Sequence, residues 1–427
     1  MKPAPPFACL SALAAGLLAA APAPAAPARG YPEGVAAAAL RAAPVWDGHN
    51  DVPEQLRDRR KDVLAGFDFR DTTGTADPAA GRVAMHTDLT RLRKGHVGAQ
   101  FWSVFVSPAL TDQQAVQAVM EQIDVTKRLI AANPADLQLA TDAAGVKAAW
   151  RAGRIASLLG MEGGYAIGNS LGVLRQFREL GVRYMTLAHF RTTSWADSAT
   201  DAPQHGGLTD FGKDVVREMQ RIGMLVDLSH CSADTMRDAL DVARAPVVFT
   251  HSGARAVADH PRNVPDDVLV RLKANGGIVM VVTLPAYVSD TVRQWELRRT
   301  GEKARLAALY IDAPDKAKAA LGEWEQAHPR PRATLKDLAD HIDHIVKVAG
   351  IEHVGLGGDF DGMDTTTEGM ADVSGYPNLF EELARRGYSQ TDLQKIASGN
   401  IMRVLEAADA FAAAHRADPP IESATAF

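Results

Sequence analysis

Thirteen histidines are spread over 427 residues, yet several stand at one recurring place. A short apolar run ends, and a side chain able to hold a metal follows. The run 45–48 leads to His49 and Asp51, 155–161 to Glu162, and 182–188 to His189. Likewise 225–229 leads to His230, 246–250 to His251, and 354–358 to Asp359. The two-residue step from His49 to Asp51 puts both side chains on one face of a strand, within reach of one ion. His230 and His251, ending successive runs, offer half of a tetrahedral site. Glu162, followed by Gly163-Gly164, can give one carboxylate oxygen to each of two cations. Two cations about 3.5–4 Å apart can share a hydroxide that is nucleophilic at neutral pH. Any one of these histidines is as readily a hydrogen-bonded core residue. Jointly, the five point to a two-metal hydrolytic site.

Positioning such a set requires strands that deliver their ends to one place. Eight candidate strands lie near 44–48, 99–106, 154–161, 182–188, 223–229, 246–250, 277–283 and 353–358. Most are continuous apolar runs, as expected for parallel strands covered on both faces. Helical patterns fill the gaps. Residues 112–132 carry Val116, Val119, Ile123 and Leu129 on roughly one face, and the stretches 171–180 and 209–222 each stop at a glycine, Gly181 and Gly223. Further helices are expected over 265–274 and 335–349. Alternating strands and helices of this number predict an α/β fold, a (β/α)8 TIM barrel over 44–412 with its ligands on the C-terminal rim. A doubly wound open sheet is the alternative, but it would gather ligands at one switch point rather than on six strands. Residues 284–332, charged and Ala-rich, interrupt the rhythm as a helical insertion after strand seven.

Composition narrows the partners. A net charge of −6 leaves no basic excess to neutralise phosphates, which argues against nucleic acid. Lys2, the apolar stretch 7–21 and Ala26-Pro27-Ala28 predict a signal peptide over 1–28, hence export and a periplasmic location. Residues 29–43 are expected as an Ala/Pro linker and 413–427 as a flexible tail. No later segment has 18 uninterrupted apolar residues, so no span is expected in the mature chain. Cleavage would leave Cys231 alone; beside His230 on a strand it points away, so a buried, inert thiol is expected.

Several motifs in order resemble the membrane (renal) dipeptidase family of the amidohydrolase superfamily. They are Asp47-Gly48-His49-Asn50-Asp51, Gly160-Met161-Glu162-Gly163-Gly164, Tyr184-Met185-Thr186-Leu187-Ala188-His189 and Val226-Asp227-Leu228-Ser229-His230. Thr250-His251-Ser252, Arg262-Asn263-Val264-Pro265-Asp266-Asp267, Gly357-Gly358-Asp359-Phe360-Asp361-Gly362 and the closing Asn400-Ile401-Met402-Arg403-Val404 complete the series. The resemblance implies a zinc-dependent dipeptidase with two Zn2+ per subunit. His49 and Asp51 would hold one ion, His230 and His251 the other, and Glu162 with a hydroxide would bridge them. It also implies that His189 polarises the scissile carbonyl, that Arg262 grips the substrate's carboxylate and that Asp359 shuttles the proton. A dipeptide is the implied substrate, including those with a C-terminal D-residue, and a homodimer the implied assembly. Another amidohydrolase activity, such as a lactamase or N-acyl-amino-acid hydrolase, is the alternative on the same scaffold. Three readings stay open on the residues alone. Arg262 could pair with Asp266 or Asp267, Asp361 could replace Asp359 at the metals, and His189 could belong to a loop network with Arg191 and Asp197. His341 and His344 are expected on a solvated helix face.

Overall fold

A computed structural model describes residues 1–4 and 31–423. Its nine strands are β1 (Val45–Asn50), β2 (Val97–Phe105), β3 (Leu137–Leu139), β4 (Ile155–Glu162), β5 (Val182–Thr186), β6 (Leu225–Asp227), β7 (Val248–Ser252), β8 (Ile278–Val281) and β9 (Val354–Leu356). All pairings are parallel, and β2 meets both β1 and β4, which closes eight strands into a barrel. The short β3 pairs with the start of β4 outside that ring. It was not expected from the sequence, because three residues are too few to show a period.

Period-two alternation explains how the barrel fills and where its rim residues point. Ala156 and Leu158 of β4, Ala99 and Phe101 of β2, and Trp46, Tyr184, Leu225, Val248 and Ile278 from other strands form one interior cluster. Two further steps along β4 from Leu158 lead through Gly160 to Glu162, so the carboxylate enters the barrel at its mouth. Ile401, Val404 and Leu405 of the closing helix Asn400–Ala414 join the same cluster and seal the opposite end. The residues on the other faces of the strands pack under the surrounding helices in a second, larger cluster.

The expected helices form with clear stops and starts. Thr111 and Gln114 make a reciprocal cap for Asp112–Ala132, and Ser170 and Thr209 cap Leu171–Glu179 and Asp210–Arg221. The insertion consists of Pro285–Val288, Asp290–Leu309 and Pro314–Ala327. The last of these buries no residue and is held to its neighbour by the Arg299–Glu325 pair and the Trp295–Trp324 ring contact.

Two boundaries differ from expectation. Residues 29–43 do not run on as a linker: Pro32–Ala42 is a helix that buries Ala36, Ala39 and Leu40 against the helices Tyr376–Arg385 and Gln390–Gln394. The spacing of those three residues is helical, a pattern that a bulk Ala/Pro composition conceals. Within the expected tail, Ile421 is also tied down. The Ile421 amide donates to Glu218 at 3.2 Å, and the Ile421 carbonyl accepts from Arg175 at 3.3 Å. The expected signal peptide lies almost wholly outside the described residues. Among those described, no helix is long and apolar enough to cross a membrane.

Candidate active site

The barrel mouth brings all eight anticipated side chains into one buried cluster. Glu162 stands at its centre. Its Oε2 lies 3.5 Å from His49 Nε2, while Oε1 lies 3.0 Å from His230 Nε2, 3.3 Å from His251 Nε2 and 3.6 Å from His189 Nε2. One carboxylate thus turns an oxygen to each of two ligand groups. His49 Nε2 is 3.3 Å from Asp51 Oδ2, and ligand atoms of these two and Asp359 all lie within 4.8 Å of one another. On the other side, His230 Nε2 and His251 Nε2 are 2.9 Å apart.

Strand-end geometry explains the convergence. The Asp359 amide donates to the His49 carbonyl, and the Asp51 amide to the Phe360 carbonyl, so the ends of β1 and β9 are zipped together. His230, Asp359 and Asp361 all have positive φ, at 65°, 61° and 69°. That conformation is uncommon for residues other than glycine, although Asp and His adopt it more often than most. The turn is held by the Ala199 amide donating to the His230 carbonyl at 2.8 Å.

The electrostatics fit cations. His230 and His251 are pushed well below the usual histidine range, by burial first, so both are neutral donors. Burial would raise the Glu162 carboxyl, yet His49, His189, His230 and His251 together hold it well below its usual range. Asp359 is pushed well up by burial and by Asp51 and Glu162. Burial would lower His49, but Tyr184, Asp51 and Glu162 outweigh it and push its proton affinity up. A buried cluster of carboxylates requires positive charge. Without a cation, that demand falls on a proton at His49. Two buried ligand atoms, His49 Nε2 and Asp51 Oδ1, make no hydrogen bond among the described residues. Buried polar atoms are seldom left so without a reason, and a metal supplies one.

A supporting shell fixes the ligands. Tyr184 Oη lies 2.8 Å from His49 Nδ1, and Thr250 Oγ1 lies 3.0 Å from His251 Nδ1. Asp227 accepts from the hydroxyls of Thr186 and Thr250 at 2.6 and 2.8 Å and from the amides of Ser229 and Thr250. Asp47 accepts from the His49 and Gly358 amides at 3.1 and 2.8 Å. Such contacts set ring orientation and ligand basicity. Gly160 makes room for one of them, since a Cβ there would meet the Tyr184 ring at 2.0 Å. Tyr184, Asp227 and Asp47 all stand within the motifs named above, but their residue types and spacing alone do not mark them as supports of the ligands. The inward alternation of β5 was the available clue to Tyr184.

The open readings close one by one. Asp361 turns from the ligands to His86, accepting from its amide at 2.7 Å and donating its own amide to His86 Nδ1 at 3.1 Å. Asp266 pairs with His344 and Asp267 with Arg237, so neither neutralises Arg262. The Arg262 guanidinium is fully buried, bonded to the His251 carbonyl and Ser252 Oγ and stacked 5.3 Å over the Tyr287 ring. Tyr287, carried by the short first helix of the insertion, was not anticipated. Arg191 pairs with Asp112, and Asp197 accepts from loop amides, which leaves His189 free of both. His341 is buried rather than solvated, accepting from the Ala254 amide and facing the Val288 carbonyl. Cys231 is buried, its thiol pushed up to about 12 by burial, in keeping with inertness.

A match to the membrane dipeptidase family, peptidase family M19, covers residues 35–419. The chain belongs to this family. It is 41% identical over 393 residues to dipeptidase 3 of Macaca fascicularis, covering 91% of this chain and 70% of that one. Among solved structures, the probable dipeptidase PvdM of Pseudomonas aeruginosa aligns with a TM-score of 0.73 at 23% identity, over 89% of this chain and 99% of that one. A metallopeptidase of Rhodobacter sphaeroides, solved with a phosphinate mimic of the dipeptide L-Ala-D-Ala, aligns at 0.69 and 24% identity over 86% and 99%. The family and the buried donor set agree on a metal-dependent dipeptidase built on a (β/α)8 barrel.

Proposed function

We propose that this dipeptidase works with two zinc ions, held by His49, Asp51 and Glu162 on one side and by Glu162, His230 and His251 on the other. The single observation that carries the reading is Glu162, whose two oxygens face separate ligand groups. Nitrogen and carboxylate donors with no thiolate suit zinc, while also admitting manganese or cobalt. Such a pair of ions, when bound, makes a water acidic enough to attack at neutral pH and polarises the amide.

The chain's own residues do the rest. Arg262 receives the C-terminal carboxylate through a planar, two-pronged grip, backed by the Tyr287 ring. His189, pushed down to about 4 by burial, is neutral at physiological pH and donates Nε2–H to the carbonyl oxygen as charge develops there. Asp359 takes a proton at its carboxylate and passes it to the leaving amine. A carboxylate grip of this kind reads the charge rather than the configuration at the adjoining carbon, so L,D-dipeptides are included among the substrates. The L-Ala-D-Ala mimic in the Rhodobacter enzyme supports that extension. Lys2 and the apolar stretch 7–21 support export to the periplasm, and we propose a homodimer there.

Metal analysis, with hydrolysis of L,L- and L,D-dipeptides before and after chelation, tests the reading. Close to two zinc ions per chain and chelator-sensitive turnover of both series are expected. Bound metal without turnover of any dipeptide would sink it. Light scattering checks the dimer, and fractionation of cells producing the full chain checks its location.

A further inference from the structure

Two aromatic rings at the mouth have no part in holding metal. Phe105 is the last residue of β2, in register with Glu162. Its ring centroid lies 4.7 Å from that of His189. Phe190 packs 4.0 Å from the same imidazole and 5.2 Å, edge-on, from His230. Half of the Phe190 surface is exposed, at 50%, although it borders a cluster that is otherwise buried. Round the barrel, three strands lie between β2 and β7 in either direction. Phe105 therefore stands across the mouth from Arg262, which follows β7.

From this placement, and resting on the dipeptidase function proposed above, we infer that Phe105 and Phe190 determine specificity. They form an apolar seat for the side chain of the substrate's first residue. With the carboxylate on Arg262 and the scissile carbonyl at His189, the amino-terminal residue extends away from Arg262. An extended dipeptide spans about 7 Å, which brings its first side chain to the Phe105–Phe190 side. A branched or aromatic side chain there covers the open face of Phe190 and removes apolar surface from water. Glycine covers nothing. The preferred substrates are thus dipeptides with an apolar first residue, while the second position answers to Arg262 and Tyr287.

The test compares kcat/KM for Phe-Gly, Leu-Gly, Gly-Phe and Gly-Gly in the wild-type zinc enzyme, Phe190→Ala and Phe190→Leu, with metal content measured for each. The wild type is expected to favour Phe-Gly and Leu-Gly over Gly-Gly. In Phe190→Ala that preference should fall about 10-fold, chiefly through KM. Phe190→Leu should keep most of the Leu-Gly preference, and the Gly-Phe to Gly-Gly ratio should not move. Loss of activity equally on all four substrates would mean that the ring only positions His189, and would overturn the inference. So would an unchanged preference, or a shift confined to the second position. If the wild type cleaves no dipeptide, the proposed function falls and takes this seat with it. Turnover with an unaltered first-residue preference removes the seat alone. Should Phe190→Ala fail to fold or load metal, Phe190→Ser decides by the same ratios.

Discussion

The two sides of the site differ in the charged groups that surround their ligands. On the β1 and β9 side stand Asp51 and Asp359, with Asp361 behind them, and His49 is pushed up by its acidic neighbours after burial has worked against it. On the β6 and β7 side, burial first and Arg262 among the further causes push His230 and His251 down. Carboxylates crowd the first side, while the second sets neutral imidazoles beside the Arg262 guanidinium. A dipeptide is a zwitterion with its charges at opposite ends, so under the proposed function Arg262 on one side and the acidic groups on the other would orient it. Glu162 belongs to both sides, and its two oxygens divide between them.

Removing the shared residue should have the largest effect. Glu162→Gln is expected to abolish turnover and to lower the metal content measured by atomic emission; full metal occupancy with normal activity would show that the two sides do not depend on it. Next comes the acidic side. Asp359→Asn should reduce kcat by roughly 10^2- to 10^4-fold with KM little changed; steady-state kinetics showing instead a loss of metal would make Asp359 a ligand. On the basic side, Arg262→Ala should raise KM by roughly 10- to 100-fold, and a KM unchanged for every dipeptide would remove the carboxylate grip. A smaller effect is expected behind the ligands. Tyr184→Phe frees His49 Nδ1 and should weaken metal affinity about 10-fold, measurable by competition with a chelator.

The last effect lies away from both sides and touches stability rather than turnover. Burial pushes His341 down to about 4 from 6.5, so between those values the unfolded chain binds the proton that the folded chain refuses. Stability therefore falls as pH drops through that window, by up to about 3 kcal/mol. Melts of His341→Gln should show a shallower slope there than the wild type; an identical slope would assign the acid sensitivity to other groups.

Much of this was legible in the sequence because strands punctuate it. Each of the six apolar runs that end in His, Asp or Glu marks both an element and a rim position, and together they carry seven of the eight site residues. Arg262 lies off the strands and came from the family resemblance. The helix at Pro32–Ala42 was hidden by composition, and β3 by its length. Tyr287 was hidden for another reason: it acts from an insertion whose composition says nothing about where it docks. His341 looked solvated because its helical spacing does not say which face is covered, and only the contacts with Ala254 and Val288 do.

By itself the sequence determined the barrel, the five residues proposed to hold metal and the class of chemistry, since strand periodicity and residue type are local properties. Tertiary structure decided the pairings. It divided the oxygens of Glu162 between two ligand groups, turned Asp361 toward His86, left Arg262 without a carboxylate partner among the described residues, and set Phe105 across the mouth from Arg262. Distance, burial and charge between residues far apart in the chain are settled only when the barrel closes.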